Sequence, residues 1–104
     1  MDERENVLAI AKRYSELVKA GNFPMEIIKS YLFGSFAQGT PHKDSDIDIA
    51  FIVKNCHGNY YYDIIVPVGA LRRKIDLRIE PHIIDPSKDY SNFMLELERT
   101  GIEL

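Results

Sequence analysis

Apolar residues recur with helical spacing at both ends of this chain and with strand spacing between them. Spacings of three and four residues predict a first helix from about Glu3 to Ala20 and a last helix from about Ser87 to Thr100. A glycine follows each stripe, as is typical of helix ends. The first stripe contains Val7, Ile10, Ala11, Tyr14, Leu17 and Val18, and the second contains Tyr90, Phe93, Met94 and Leu97.

Strand-like runs occupy the middle of the chain. Ile27 to Phe33 is short and apolar, Ile47 to Val53 gives the clearest strand, and Ile75 to Glu80 alternates between apolar and charged residues. A short helical turn up to Gln38, a helix from Tyr60 to Lys74, an extended piece from His82 to Asp85 and a final edge strand at Ile102 to Leu104 complete the predicted elements. Strands separated by helices predict an α/β fold.

Composition limits the chain to one domain. With 104 residues and 45% hydrophobic content, residues 1–104 suffice for a single modest core. A net charge of -3 argues against indiscriminate binding to nucleic acid backbones. The single cysteine, Cys56, excludes an internal disulfide, and neither a signal peptide nor a membrane-length apolar run is present, so we expect a cytoplasmic protein.

Two features point to phosphate and metal chemistry. Gly34-Ser35 follows a predicted strand and opens a helical turn, where backbone N–H groups favour phosphate, although plain turns often have this sequence. Asp46 and Asp48 begin the clearest strand, so their side chains share one face, roughly 6–7 Å apart, and suit a shared ion or ion pair. Ordinary surface acids would show the same spacing.

A third carboxylate is predicted at Asp76, on the alternating strand. Next to the other two, Asp76 would complete a metal shell or accept a proton from an attacking hydroxyl. The alternative is an outward-facing Asp76 paired with Arg78 or Arg73. Other polar features have plainer interpretations: Tyr60-Tyr61-Tyr62 as a helix start that packs on the core, and Arg72-Arg73-Lys74 as a solvated helix end.

The run from Gly34-Ser35 through Gly39 to Ser45-Asp46-Ile47-Asp48 resembles the signature of the DNA polymerase beta nucleotidyltransferase superfamily. The length of the chain is similar to that of the minimal nucleotidyltransferases. This resemblance implies a small mixed sheet flanked by helices. Many relatives carry arginine where this chain has Gln38, and Lys43 or the basic run that starts at Arg72 are candidates to replace its charge.

The resemblance also implies roles for individual residues. Gly34 and Ser35 would contact nucleotide phosphates, while Asp46, Asp48 and Asp76 would bind two Mg²⁺ ions and form the catalytic site. The implied reaction transfers AMP from ATP to a hydroxyl.

The implied partner is a HEPN-type toxin, which the chain would neutralise as an antitoxin by modifying a tyrosine. Two alternatives stay open at this point. One is adenylylation of a small molecule, and the other is a non-catalytic module that masks its partner.

Overall fold

A four-stranded mixed sheet forms the centre of the protein, with the strand order β3-β2-β1-β4. The computed structural model describes residues 3–41, 44–88 and 91–104, and the predicted residues Lys43 and Tyr90 lie outside them. β1 runs antiparallel to both β2 and β4, whereas β2 and β3 are parallel. This architecture confirms the predicted α/β fold. The strands are β1 (Glu26–Phe33), β2 (Ile47–Lys54), β3 (Ile79–Ile84) and β4 (Ile102–Glu103).

The first helix, α1 (Glu3–Ala20), covers one face of the sheet as its apolar stripe predicts. Val7, Ala11 and Val18 are fully buried and pack in one cluster with inward-facing residues of β1 and β2. Tyr14 in the same stripe donates a hydrogen bond from its hydroxyl to the Val68 carbonyl, which ties α1 to the helical segment after β2. Packing against α1 therefore fixes the position of the end of the sheet at which β2 begins.

The opposite face is covered by α4 (Ser91–Thr100). Leu97 is buried beside Ala50 and Ile84, and Phe93 and Met94 pack at the edge of this smaller cluster. The helix begins later than predicted, because Pro86–Lys88 forms a separate 3₁₀ turn. The predicted edge strand is confirmed as β4, whose Ile102 pairs with Leu32.

The predicted helix from Tyr60 to Lys74 is present but changes its winding along its length. A π-helix spans Tyr60–Ile65, α3 spans Val66–Ala70, and a 3₁₀ turn spans Leu71–Lys74. Pro67 has no N–H group to donate within the helix, so a regular α-helical ladder cannot continue through it. The segment still buries Ile64 and Val68 against the core.

The predicted strand from Ile75 to Glu80 is wrong in its first half. Residues 75–78 form a turn, Leu77 is 72% exposed, and β3 begins only at Ile79. The Arg72 carbonyl accepts hydrogen bonds from the N–H groups of Ile75 and Asp76, which closes the preceding helix. These local bonds compete with strand pairing and delay it until Ile79. The extended piece predicted after Pro81 belongs to the same strand, β3.

No helix in the described parts of the chain combines the length and apolar character needed to cross a membrane.

Candidate active site

The glycine turn after β1 lies directly against the first residues of β2. Gly34 has φ 76° and precedes the short helix α2 (Ser35–Gln38). A Cβ atom built on Gly34 would stand 2.5 Å from Asp48 Oδ2. Only glycine fits both this backbone conformation and this approach. The structure thus places the predicted Gly34-Ser35 turn beside the predicted carboxylate of Asp48.

Asp46 and Asp48 flank the fully buried Ile47 at the start of β2. Because strand residues alternate between faces, burial of Ile47 turns both carboxylates away from the core that α1 covers. Asp46 is exposed, whereas Asp48 is partly buried, with 22% of its side chain exposed. The pair therefore lies at one end of the sheet, next to the Gly34 turn.

β3 adds two further side chains to this end of the sheet. The parallel register pairs Asp48 with Glu80 and Ala50 with His82. His82 Nε2 lies 3.3 Å from Asp48 Oδ1, and the His82 ring stacks edge-on against Phe33, with centroids 4.9 Å apart. One ligand atom from each of Asp48, Glu80 and His82 can be chosen so that the atoms lie within 4.8 Å of one another.

The electrostatics of this cluster favour a cation. A side-chain hydrogen bond with Asp46 raises the pKa of Glu80, and the charges of Asp48 and Asp46 raise it further. Burial raises the pKa of Asp48, while the hydrogen bond from His82 opposes that rise. Neighbouring carboxylates resist ionising together unless positive charge is brought between them. The cluster is therefore a place where a divalent cation would relieve repulsion.

The donor set suits such a cation. Carboxylate oxygens are the ligands that Mg²⁺ prefers, and a site with one or two protein carboxylates leaves room for phosphate oxygens. Asp48 and Glu80 supply carboxylates from two adjacent strands, and Asp46 supplies one from the residue before β2. His82 supplies a nitrogen, which also suits Mn²⁺ and later first-row metals, or it holds Asp48 in orientation.

Asp76 is held in an ion pair by Arg78. Its carboxylate accepts hydrogen bonds from the backbone N–H and the guanidinium of Arg78, with a closest ion-pair distance of 2.9 Å. The hydrogen bond from the Arg78 side chain lowers the pKa of Asp76. Arg78 is also paired with Glu3 at 3.1 Å, which fastens the turn to α1. The structure thus brings Gly34, Asp46 and Asp48 together, whereas Asp76 is paired with Arg78 as in the alternative interpretation, although only 19% of its side chain is exposed.

Sequence reasoning missed Glu80 and His82. The alternation from Ile75 to Glu80 placed Glu80 on the same face as Asp76 but did not single it out. One signal was present, because a residue that precedes proline is driven toward extended backbone, and Pro81 follows Glu80. Proline is also confined to edge strands, and β3 is an edge strand here. The parallel pairing with β2, which makes Glu80 the neighbour of Asp48, could not be inferred from the pattern.

Comparisons with known proteins agree with this geometry. The sequence model of the family described as "Polymerase beta, Nucleotidyltransferase" matches residues 7–104. No curated protein matches the chain significantly. A chain in the crystal structure of a toxin–antitoxin with AMP-PNP aligns with a TM-score of 0.56 and 20% identity, over 98% of this chain and 72% of that chain. A chain of a mutant toxin–antitoxin MntA-HpeT aligns with a TM-score of 0.52 and 17% identity, over 98% and 72% of the respective chains. At 20% and 17% identity, these comparisons show that this chain shares its fold with the two aligned chains.

Proposed function

Because this chain belongs to the polymerase beta nucleotidyltransferase family, we propose that it transfers AMP from ATP to a hydroxyl group of an acceptor. One observation carries the proposal: the Gly34 turn approaches Asp48 so closely that a Cβ atom would be 2.5 Å from its carboxylate. A phosphate chain on the turn would therefore lie beside the acidic cluster. That is the arrangement that metal-assisted phosphoryl transfer needs.

The acidic residues have separate tasks in this proposal. Asp46, Asp48 and Glu80 would hold two Mg²⁺ ions, which would supply positive charge to the triphosphate and lower the pKa of the attacking hydroxyl. Glu80 takes the place of the third carboxylate that the sequence assigned to Asp76. The neighbouring Asp46 raises the pKa of Glu80, so the two carboxyl groups are close enough to reach the same ions. His82 orients Asp48 through their 3.3 Å contact.

The turn and the short helix have the complementary task of holding phosphate. Gly34 lets the backbone approach the triphosphate, and the Ser35 hydroxyl provides a donor at the start of α2. The acceptor oxygen forms a bond to the α-phosphorus while the bond to the pyrophosphate oxygen breaks. The acceptor proton passes to a carboxylate of the cluster and then to water. Most of the rate comes from positioning and from charge stabilisation.

Calorimetric titration tests the nucleotide and metal assignment without an acceptor. The wild-type chain should bind a non-hydrolysable ATP analogue in the presence of Mg²⁺ and lose most of that affinity in EDTA. Asp48→Asn should weaken binding about tenfold or more, because one metal ligand is lost. The matched variant Asp85→Asn, on an aspartate beyond the other end of β3, should bind like the wild type. Equal affinity in all three proteins would contradict the proposal.

The proposed acceptor is a partner protein, a HEPN-type toxin that this chain neutralises as an antitoxin by modifying a tyrosine. Two solved toxin–antitoxin structures share the fold, and one of them was crystallised with AMP-PNP, which supports this assignment. We place the reaction in the cytoplasm, since the lone Cys56 needs no oxidising compartment. The partner should form a complex with this chain that survives size-exclusion chromatography, and failure to co-elute would count against it.

A further inference from the structure

A groove opens beside the acidic cluster, between β3 and the helical segment that precedes it. Its volume is about 500 Å³, within the usual range for ligand sites. Glu80 lines one part of it, so the groove and the proposed catalytic cluster share a residue. Its apolar lining includes Tyr61, Val66 and Pro81, and Arg73 contributes a positive charge.

The sheet order sets this groove on one particular side of the site. The Gly34 turn follows β1 and touches Asp48 on β2, whereas the groove lies along β3, beyond β2 in the opposite direction. In phosphoryl transfer the attacking and leaving oxygens lie roughly in line across the phosphorus. If the triphosphate leaves toward Gly34, the attacking oxygen enters from the side of β3. Pro81 and Ile83 of the groove pair with Ile49 and Phe51, which face the core covered by α1. The groove therefore meets the acidic cluster at Glu80, and an acceptor in the groove would reach the cluster around the edge of β3, past Glu80.

The outer edge of β3 is partly covered along the groove. Arg72 Nη1 donates to the Ile79 carbonyl at 3.4 Å, and the Tyr60 hydroxyl donates to the Ile83 carbonyl at 3.2 Å. These contacts block extension of the sheet by a partner strand at both ends of the segment. The part of the groove between these two contacts suits an inserted side chain better than an added strand.

The groove presents exposed apolar side chains and is bordered by positive charge. Tyr61 is 58% exposed and Val66 is 45% exposed. Arg72, Arg73 and Lys74 follow in sequence at the end of the helical segment. Among the described residues Arg73 makes no ion pair with a carboxylate, so its charge is available to a partner. An aromatic ring would bury apolar surface here, and acidic neighbours would complement the arginine.

We propose that this groove, formed by Tyr61, Val66, Pro81 and Arg73 beside Glu80, is the acceptor subsite and takes a tyrosine from an acidic segment of the partner protein. The inference rests on the proposed function. In the step it serves, the phenolic oxygen bonds to the α-phosphorus of ATP and pyrophosphate departs with the electrons of the broken P–O bond. The phenolic proton passes to a carboxylate of the cluster and then to water.

Two synthetic peptides test the proposal with the full chain, ATP and Mg²⁺. Both contain one tyrosine, flanked by aspartates in the first peptide and by lysines in the second, and transfer of AMP is followed by mass spectrometry. The wild type should prefer the acidic peptide. Arg73→Glu should lower kcat/KM for the acidic peptide about tenfold and improve use of the basic one. Lys12→Glu, an equal charge reversal on the exposed face of α1, should do neither.

A second variant shows whether the groove binds the acceptor or the nucleotide. Tyr61→Ala should raise the KM for the acidic peptide several-fold, while the KM for ATP stays near the wild-type value. A rise confined to the KM for ATP would place the nucleotide in the groove and overturn the proposal. Equal use of both peptides by wild type and Arg73→Glu would overturn it while leaving nucleotidyl transfer intact. Failure of the wild type to bind ATP with Mg²⁺ would instead remove the proposed function, and the acceptor subsite with it.

Discussion

Replacing Glu80 by glutamine tests whether Glu80 or Asp76 is the third catalytic carboxylate of the site. The variant keeps the size and hydrogen-bonding capacity of the side chain but removes its charge. Glu80 is exposed and its backbone pairs with β2 through main-chain groups, so the fold should persist. Metal ions in such sites stabilise the transition state by several kcal/mol. Loss of one of three carboxylate ligands should therefore remove about 1–3 kcal/mol of this stabilisation. A loss of about 3 kcal/mol corresponds to roughly 150-fold in kcat/KM.

Asp76→Asn is the matched control. Asparagine keeps an acceptor for the Arg78 backbone N–H, and Arg78 keeps its second partner, Glu3, at 3.1 Å. The lost ion pair is partly exposed to solvent, with 41% of the Arg78 side chain accessible, so its removal should cost about 1 kcal/mol of folding free energy. Because Asp76 is held by Arg78 and is not a proposed metal ligand, activity of the folded variant should fall less than threefold, or about 0.6 kcal/mol in activation free energy.

The assay is release of pyrophosphate during transfer to the partner protein, with both variants compared at equal folded fraction by circular dichroism. A large loss in Glu80→Gln together with a small loss in Asp76→Asn is the expected result. The reverse order would refute the assignment of Glu80 and return the catalytic role to Asp76. Similar losses in both would show that the turn around Asp76 positions the site rather than merely fastening it.

Three further predictions concern the turn, the cluster and the core. Gly34→Ala forces a Cβ atom against the Asp48 carboxylate in a residue with positive φ. The variant should lose about 1–3 kcal/mol of folding free energy in urea denaturation, and most of its nucleotide affinity. Unchanged stability would contradict the close approach of the two residues. Because the pKa values of Asp48 and Glu80 are raised, their protons favour the folded state at low pH, and this contribution is lost as pH rises through those pKa values. Mg²⁺ should therefore raise Tm at about pH 7, where it replaces the lost protons, and have little effect near pH 4; equal shifts at both pH values would argue against binding at this cluster. Ser15→Ala leaves the buried Ser30 hydroxyl without its 2.7 Å partner and should cost about 1–3 kcal/mol, whereas the double variant with Ser30→Ala should lose less than the sum of the two single variants.

The parts of the fold that sequence predicted correctly are those with a strong local period. α1 has an uninterrupted stripe, and burial of Val7, Ala11 and Val18 follows it. β2 is apolar from Ile49 to Val53, and the burial of these residues confirms the predicted strand. In both cases the pattern reflects one continuous contact with the core, so no competing local structure arises.

Prediction failed where side chains compete locally with regular structure. The alternation from Ile75 to Glu80 is that of a strand, but helix-closing hydrogen bonds to the Arg72 carbonyl and the Asp76–Arg78 contacts hold residues 75–78 in a turn. As a consequence the strand starts late, and Glu80 rather than Asp76 becomes the neighbour of Asp48. Parallel pairing joins residues far apart in sequence, and a one-dimensional pattern does not encode its register.

Intact-mass analysis of the proposed partner protein is the strongest test of AMP transfer by this chain. The protein encoded next to this chain would be incubated with the wild-type chain, ATP and Mg²⁺, or with the Asp46→Asn/Asp48→Asn double variant as the control. We expect one or more AMP increments on the partner with the wild type, mapped to a tyrosine, and none with the double variant. An unmodified partner in a stable complex with the wild type, or equal modification by the double variant, would contradict it.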